Sequence, residues 1–275
     1  MLAELPESDA SGEIAQIYAD VRRLCAVPYV SSMQRHLATR AGWLEWAWSS
    51  IGPVFHDGRA QEISWRLAEK LPIRTLDPIP TASLRLWNVD KRDEERIGAV
   101  CETFIRASPT NLIFSGILRR LLAGERPGKT TASEIVTEWV PPKPTSNTPP
   151  LVAIEALENN TRTALMTFST TINDTPFVPG LYRMLANWPG LLAHLATVLA
   201  PRLSDPETIG ACNDLAQAID EAAAELLTTL PPLADTPHLP PASDFPAVLA
   251  AVETYRKTSP QMVIYSTLIR DALAG

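Results

Sequence analysis

The sequence contains few of the residues that build metal, redox and disulfide sites. Its 275 residues include only three cysteines and four histidines. Cys25, Cys101 and Cys212 lie far apart and form no C-x-x-C pair, which excludes a redox dithiol and argues against a disulfide framework or a zinc site. The histidines are scattered, without the spacing of metal ligands on one helix face. We therefore expect three buried thiols and no metal.

Several other functional classes are excluded by what the sequence does not contain. The formal net charge is -7 and no lysine or arginine run forms a basic stripe, so a nucleic-acid partner is not expected. No apolar run approaches the roughly 18 residues of a membrane span, and the acidic start MLAELPESDASGE does not resemble a leader peptide. A cytoplasmic protein without a membrane partner is the expectation. G-x-S-x-G, P-loop and G-x-G-x-x-G motifs are also absent, so nothing indicates a serine hydrolase or a nucleotide site.

Two segments of the chain occur twice, in the same order. Val27 to Pro53 aligns without gaps with Thr175 to Pro201, with eight identical positions at an offset of 148 residues. Glu102 to Leu122 aligns in the same way with Glu253 to Leu273, with eight identities at an offset of 151 residues. The pattern indicates a tandem duplication of a unit of roughly 120 residues, far longer than the units of helical solenoids.

The spacing of apolar residues predicts helices throughout. Between the prolines, apolar side chains recur three and four residues apart, and no segment shows the alternation of a strand. Asp90 and Asp205 are expected to cap long helices, the second of which ends near Leu230. We predict an all-α fold of two pseudo-symmetric helical repeats, residues 1–124 and 151–275, joined by a proline-rich linker of residues 125–150.

The seam between two such repeats is a natural place for a pocket, because equivalent helix starts face each other across it. The helix starts that recur predict its lining, which we expect to be Tyr29, Ser32, Phe177, Gly180, Ser108, Asn111, Ser259 and Met262. Ser108 and Ser259 also have a structural interpretation, because a serine before proline commonly caps a new helix. Asp57 likewise occupies a position where a cap is expected.

Longer stretches resemble a known family. SGEIAQIYADVRRLCAVPYV, HLATRAGWLEWAW, ASPTNLIF and LANWPGLL are similar to the DehI family, the group I 2-haloacid dehalogenases, over nearly the whole chain. The resemblance implies two all-helical repeats in one chain, an active site at their interface, and no cofactor or metal. It also implies a direct displacement, in which a carboxylate activates a water that attacks the halogen-bearing carbon.

The positions that the resemblance implies for catalysis are mostly changed. The water-activating aspartate of the family is Leu181 here, after Gly180, and its Asn-Pro pair is Ser108-Pro109. Its aromatic residue three positions later is Asn111, while the pocket aromatics correspond to Tyr29 and Tyr255. By ungapped counting, the threonine and glutamate after the central helix correspond to Asp57 and Gln61.

Three functions remain open at this point. The first is a diverged hydrolase or lyase that acts on a small, partly apolar carboxylate, with Asp57, Gln61 and Ser108 as catalytic candidates and Asp174 as a further possible base. The second is a non-catalytic protein that binds a small molecule or a partner on the same scaffold. The third is a dehalogenase with a relocated base. A homodimer is compatible with each of them.

Overall fold

The computed structural model describes residues 3–69, 71–128, 139–172, 175–233 and 240–274. Apart from short 3-10 turns, the helices of this part of the chain are α1 (Gly12–Leu24), α2 (Ser32–Leu37), α3 (Trp43–Ile51), α4 (Pro53–His56), α5 (Arg59–Ala68), α6 (Thr81–Leu86), α7 (Lys91–Leu122), α8 (Asn159–Met166), α9 (Gly180–Leu185), α10 (Pro189–Leu199), α11 (Pro206–Thr229) and α12 (Phe245–Ala274). The predicted all-α class is confirmed. No helix in the described ranges is long and apolar enough to cross a membrane.

One small sheet departs from the expectation that no strands form. β1 (Thr170–Ile172) and β2 (Thr175–Phe177) pair in antiparallel fashion. The six strand residues include three threonines, an isoleucine and a phenylalanine, all of which favour extended backbone. The segment is too short to show the alternation by which a strand is usually recognised. The hairpin leads directly into α9 and so orients the start of that helix.

The long helices begin where the sequence indicated. The Asp90 carboxylate accepts a hydrogen bond from the Asp93 backbone N–H at 2.8 Å, and the Asp205 carboxylate accepts one from Thr208 at 3.0 Å. Each carboxylate satisfies a backbone donor that has no partner within the helix, and both predicted caps are therefore confirmed. α11 ends one residue before Leu230.

The prediction that Ser108 and Ser259 cap new helices is wrong. α7 and α12 run through Pro109 and Pro260 without a break, over 32 and 30 residues. A proline inside a helix removes one backbone donor and turns neighbouring carbonyl groups outward. In α7 the Arg106 carbonyl, three residues before Pro109, accepts a hydrogen bond from Trp65 Nε1 at 3.0 Å, which ties this part of the helix to α5.

The buried side chains form two hydrophobic cores, and each long helix contributes to both. α7 packs Ile97 and Phe104 into the core around α9 and α10, whereas its residues from Ala107 onward pack into the core around α1 and α3. α12 changes core in the opposite sense, because Val248 and Val252 belong to the first core whereas its residues from Ile264 onward belong to the second. Both changes occur next to the internal prolines, where the two helices pass each other.

Helices follow in the same order in both halves. The pairs α2 and α9, α3 and α10, and α7 and α12 occupy positions that the two sequence alignments match. This order agrees with the arrangement inferred from the sequence. The duplication itself remains a prediction from the sequence.

The described part of the linker packs against both halves of the chain. In the first half, the Thr145 N–H donates to the Ala26 carbonyl at 3.2 Å, and the Arg106 side chain donates to the Lys143 carbonyl at 2.8 Å. In the second half, Asn187 Nδ2 donates to the Pro150 carbonyl at 3.1 Å. The linker therefore crosses the seam as part of the folded structure.

The three cysteines are buried free thiols, as expected. Burial raises the pKa of Cys25 and of Cys101 to about 12, and that of Cys212 to about 11. At neutral pH these thiols are protonated, which makes them poor nucleophiles and poor metal ligands.

Two glycines of α7 provide a matched test of the packing between the halves. A Cβ added at Gly116 would lie 2.8 Å from the Cβ of Ala223 in α11, whereas a Cβ added at Gly98 meets no atom within 4 Å. We expect Gly116→Ala to destabilise the protein by about 1–3 kcal/mol, because the two helices must move apart. Gly98→Ala is expected to stabilise it by about 0.5–1 kcal/mol through helix propensity. Urea unfolding of both variants measures the difference, and equal effects would contradict this close contact.

Candidate functional site

A cavity lies at the seam, next to the prolines of α7 and α12. Its free volume is about 80 Å³, which is enough for a few waters or a solute of a few heavy atoms. Four chain segments and Leu151, the first residue of the predicted second repeat, form its wall. The lining residues are Tyr29, Ser31, Ser32, Met33, Arg35, Phe104, Ser108, Asn111, Leu151, Phe177, Pro179, Gly180, Met184, Tyr255, Thr258, Ser259 and Met262.

The structure brings together all eight residues that the internal repeat singled out. Tyr29 and Ser32 come from the start of α2, and Phe177 and Gly180 come from β2 and α9. The other four residues come from the middle of the long helices and not from helix starts, because Pro109 and Pro260 do not interrupt α7 and α12. These four are Ser108, Asn111, Ser259 and Met262.

A chain of hydrogen bonds fixes the amide side of the cavity. The Ser31 hydroxyl donates to Gln34 Oε1, and Gln34 Nε2 donates to Asn111 Oδ1 at 2.8 Å. Gln34 is buried, so these bonds form without competition from water. Because Asn111 accepts through its oxygen, its amide N–H groups are left to donate to a bound molecule.

Arg35 is the one positively charged side chain among the described residues that line the cavity. Its Nη2 lies 2.6 Å from Glu4 Oε2 and 3.4 Å from the Ser32 hydroxyl. Its Nε has no hydrogen-bond partner among the described residues and is buried, so it is not exposed to the cavity. Arg35 therefore offers the cavity a positive charge, which a bound carboxylate would offset.

Two phenols contribute further polar groups. Burial raises the pKa of Tyr29 and of Tyr255 well above the usual value, with smaller effects from the charges of Arg35 and Glu4 on both. Both side chains therefore stay neutral at physiological pH and can donate hydrogen bonds. The Tyr29 ring lies 5.9 Å from the Phe104 ring, centroid to centroid, which holds it in the wall.

Three residues predicted for the site do not line this cavity. The Asp57 carboxylate accepts hydrogen bonds from Arg59 Nη2 at 2.6 Å and from Arg59 Nε at 2.9 Å. Gln61 is fully buried, and its Nε2 donates to the carbonyl groups of Leu24 and Phe55. Leu181 is fully buried in the second core. Asp174 lies outside the described residues.

The placement of Asp57 and Gln61 has a physical explanation. Gly58 has a φ of +84°, and this left-handed residue starts α5 in a direction that takes Gln61 to the carbonyl groups of Leu24 and Phe55, two residues of the first core. The N-cap residue of α5 is Gly58, and the Asp57 carboxylate, one position earlier, accepts a hydrogen bond from the Arg59 backbone N–H at 3.1 Å. Counting along the sequence from the central helix could not reveal this turn.

Sequence reasoning missed Arg35 and Glu4. Arg35 recurs as Arg183 in the second repeat, which was the available signal, yet the Arg183 guanidinium donates to the Val152 carbonyl at 3.1 Å and does not line the cavity. Glu4 carries no pattern at all. It lies in a loop that precedes α1 and reaches Arg35 only in the folded chain.

Two larger hollows exist elsewhere. One of about 330 Å³ lies between α11 and α12, and one of about 440 Å³ lies between α5, α7 and the end of α12. Both contain several charged side chains of both signs. The smaller cavity is the better candidate, because one charge in a largely apolar wall is the usual composition of a small-molecule site. The described residues contain no cluster of three metal-ligating side chains.

Comparisons with known proteins agree with the resemblance found in the sequence. No family model matches the chain. A configuration-inverting 2-haloacid dehalogenase of Alcaligenes xylosoxydans xylosoxydans is 26% identical over 205 residues, which are 72% of this chain and 68% of that protein. An (R)-2-haloacid dehalogenase of Pseudomonas putida is 24% identical over 214 residues, 75% of this chain and 70% of that protein.

Solved structures show the same fold. A mutant D-2-haloacid dehalogenase in complex with D-2-CPA superposes with a TM-score of 0.77 at 19% identity, over 99% of this chain and 96% of that one. The complex of a D-2-haloacid dehalogenase with L-LA gives a TM-score of 0.76 at 20% identity, over 99% and 97%. The resemblance to the group I 2-haloacid dehalogenases is thereby confirmed.

The tyrosines, two of which line the cavity, provide a test of how far the fold buries its phenols. All five have a pKa raised by burial, to about 12 for Tyr18 and well above the usual value for Tyr29, Tyr182, Tyr255 and Tyr265. The folded chain keeps its protons where the unfolded chain loses them, so the free energy of unfolding must fall as pH rises through about 10. We expect almost no tyrosinate absorbance from the native protein near that pH, and strong absorbance in denaturant. Tyrosinate absorbance that rises in folded protein at this pH would show that the phenols are accessible.

Proposed function

We propose that this DehI-like chain is a cofactor-independent enzyme of the hydrolase type that acts on a small, partly apolar carboxylate in the seam cavity. The observation that carries the proposal is Arg35, the one cation among the described residues in the wall of a largely apolar cavity. Its relatives are named as 2-haloacid dehalogenases, so 2-halocarboxylates are the first substrate class to test.

The lining divides into a polar side and an apolar side. Arg35, Ser32, Ser108 and Asn111 come from the first half of the chain and offer a positive charge and hydrogen-bond donors to a carboxylate. Aromatic and sulfur-containing side chains receive the rest of the molecule. They include Phe104, Phe177, Met184 and Met262. A 2-substituted carboxylate has this same polarity, with an anionic end and an apolar end.

Such a wall supports a displacement at the carbon next to the carboxylate. Arg35 offsets the negative charge of the substrate, which otherwise repels an approaching nucleophile. The apolar side removes water from the reacting carbon, so that electrostatic interactions inside the cavity are stronger than in solution. The products of hydrolysis are a 2-hydroxycarboxylate, a halide ion and a proton.

The water-activating group must differ from that implied by the family resemblance. The resemblance implies that Leu181 takes the position of the family aspartate, and the Leu181 side chain lies in the second core, not in the cavity lining. A Cβ added at the preceding Gly180 would lie 3.4 Å from Phe104 Cζ, which is van der Waals contact. Since α9 supplies no carboxylate to the cavity, we infer that the base has moved to another element.

A non-catalytic binding protein is the second candidate. The observation that favours it is that no aspartate or glutamate is among the described residues that line the cavity. Without a base, the same wall would hold a small carboxylate without converting it. The two functions share the ligand and differ in turnover.

Arg35→Gln tests the proposed substrate contact, with Arg183→Gln as the matched variant in the second half. Loss of a charge-assisted contact of about 1.5–3 kcal/mol should weaken the binding of a carboxylate by roughly 10- to 100-fold. Arg183 does not line the cavity, so its variant should bind like the wild type provided that it folds. The measurements are halide release and calorimetric binding with both enantiomers of 2-chloropropionate and 2-bromopropionate.

The outcomes separate the candidates. Halide release that weakens in Arg35→Gln and persists in Arg183→Gln supports the enzyme. Binding without release, lost in Arg35→Gln, supports the binding protein. Equal effects of both substitutions, or neither binding nor release by the wild type, would reject the seam cavity as a carboxylate site.

A further inference from the structure

The segment before α1 is fixed against the wall of the cavity. The Leu5 N–H donates to the Arg35 carbonyl at 2.9 Å, and the Tyr18 hydroxyl donates to the Leu5 carbonyl at 3.2 Å. The Val30 N–H donates to Glu7 Oε1 at 2.7 Å, and Glu7 also pairs with Arg22. These bonds join the segment to α1, to α2 and to the residues around Tyr29.

The segment brings one carboxylate to the site. Among the described carboxylates, Glu4 alone is bonded to a side chain that lines the cavity, through the 2.6 Å contact of its Oε2 with Arg35 Nη2. The Glu4 side chain is 22% exposed and that of Arg35 is 16% exposed, so the pair is largely shielded from water. The charge of Glu4 also reaches both cavity phenols, because it contributes to the raised pKa of Tyr29 and of Tyr255.

Arg35 has enough donors to hold two carboxylates at once. A guanidinium is planar and carries five N–H donors, which can serve acceptors on more than one edge. Glu4 uses Nη2, which leaves other N–H groups of the guanidinium for a second acceptor. A substrate carboxylate and Glu4 would then both lie against Arg35, with the positive charge between them.

We propose that Glu4 is the catalytic carboxylate that activates water in this chain, at a position unrelated to the family aspartate. This rests on the proposed function. Glu4 accepts a proton from a water molecule while the water oxygen forms a bond to C2 of the substrate. The bond from C2 to the halogen breaks, and the halide leaves with the electron pair. The protonated Glu4 then returns its proton to solvent.

The alternative role for Glu4 is to hold the Arg35 side chain in place. The two roles predict different kinetics. A base acts on the chemical step, so its removal lowers kcat and leaves the binding of substrate intact. A positioning residue acts through Arg35, so its removal weakens binding.

The experiment compares Glu4→Gln, Glu4→Asp and Glu13→Gln in the complete chain, with 2-chloropropionate as the probe. Glu13 is an exposed glutamate in the first turn of α1 and serves as the matched control. We expect Glu4→Gln to lower kcat by about 100-fold or more and to keep the dissociation constant for 2-chloropropionate within about threefold of the wild-type value. Glu13→Gln is expected to behave like the wild type in both measurements. Glu4→Asp, which keeps the acid but withdraws it by one methylene, should retain a rate above that of Glu4→Gln. It also serves as the second variant if Glu4→Gln does not fold.

The other results would overturn the assignment. If the wild type releases halide and Glu4→Gln keeps a kcat within about fivefold of it, Glu4 is not the base and the proposed function stands. Weakened binding with an unchanged kcat assigns Glu4 to positioning only. If the wild type binds the probe without releasing halide, both the catalytic role of Glu4 and the enzymatic function are rejected, and binding alone remains.

Discussion

The packing of α7 against α12 is the constraint on which the rest of this structure depends. Each of these helices contributes to both hydrophobic cores and changes core beside an internal proline. The two halves therefore cannot separate without exposing apolar surface of both cores, since neither core is complete without the opposite half. Burial of that surface is the dominant favourable term in folding. The close contact of Gly116 with Ala223 shows how tightly α7 also packs on α11.

The cavity is a consequence of this packing. A proline inside a helix bends it and disrupts the regular array of side chains and backbone hydrogen bonds. We infer that the side chains of two such helices interlock less completely where they pack together, which leaves a small space. The side chains next to the two prolines, Ser108 and Ser259, line that space. The same backbone feature thus joins the halves and places the candidate site between them.

The two halves contribute unequally to the cavity although their sequences match. At the aligned positions, the first half supplies Ser32 and Asn111 where the second supplies Gly180 and Met262. Arg35 lines the cavity, whereas the Arg183 side chain donates a hydrogen bond to the Val152 carbonyl. A site built from equivalent positions has therefore acquired a polar side and an apolar side, which a carboxylate with an apolar substituent requires.

The sequence by itself determined the helical class, the caps at Asp90 and Asp205 and eight of the residues around the cavity. These follow from the local spacing of residue types and from the internal repeat, both of which can be read directly from the sequence. The tertiary structure alone decided that α7 and α12 continue through their prolines, because packing on two cores outweighs the local preference of Ser-Pro for a helix start. It also decided that Gln61 lies in a core and that Glu4 meets Arg35. Contacts between residues far apart in the chain depend on turns such as that at Gly58, whose direction no local pattern specifies.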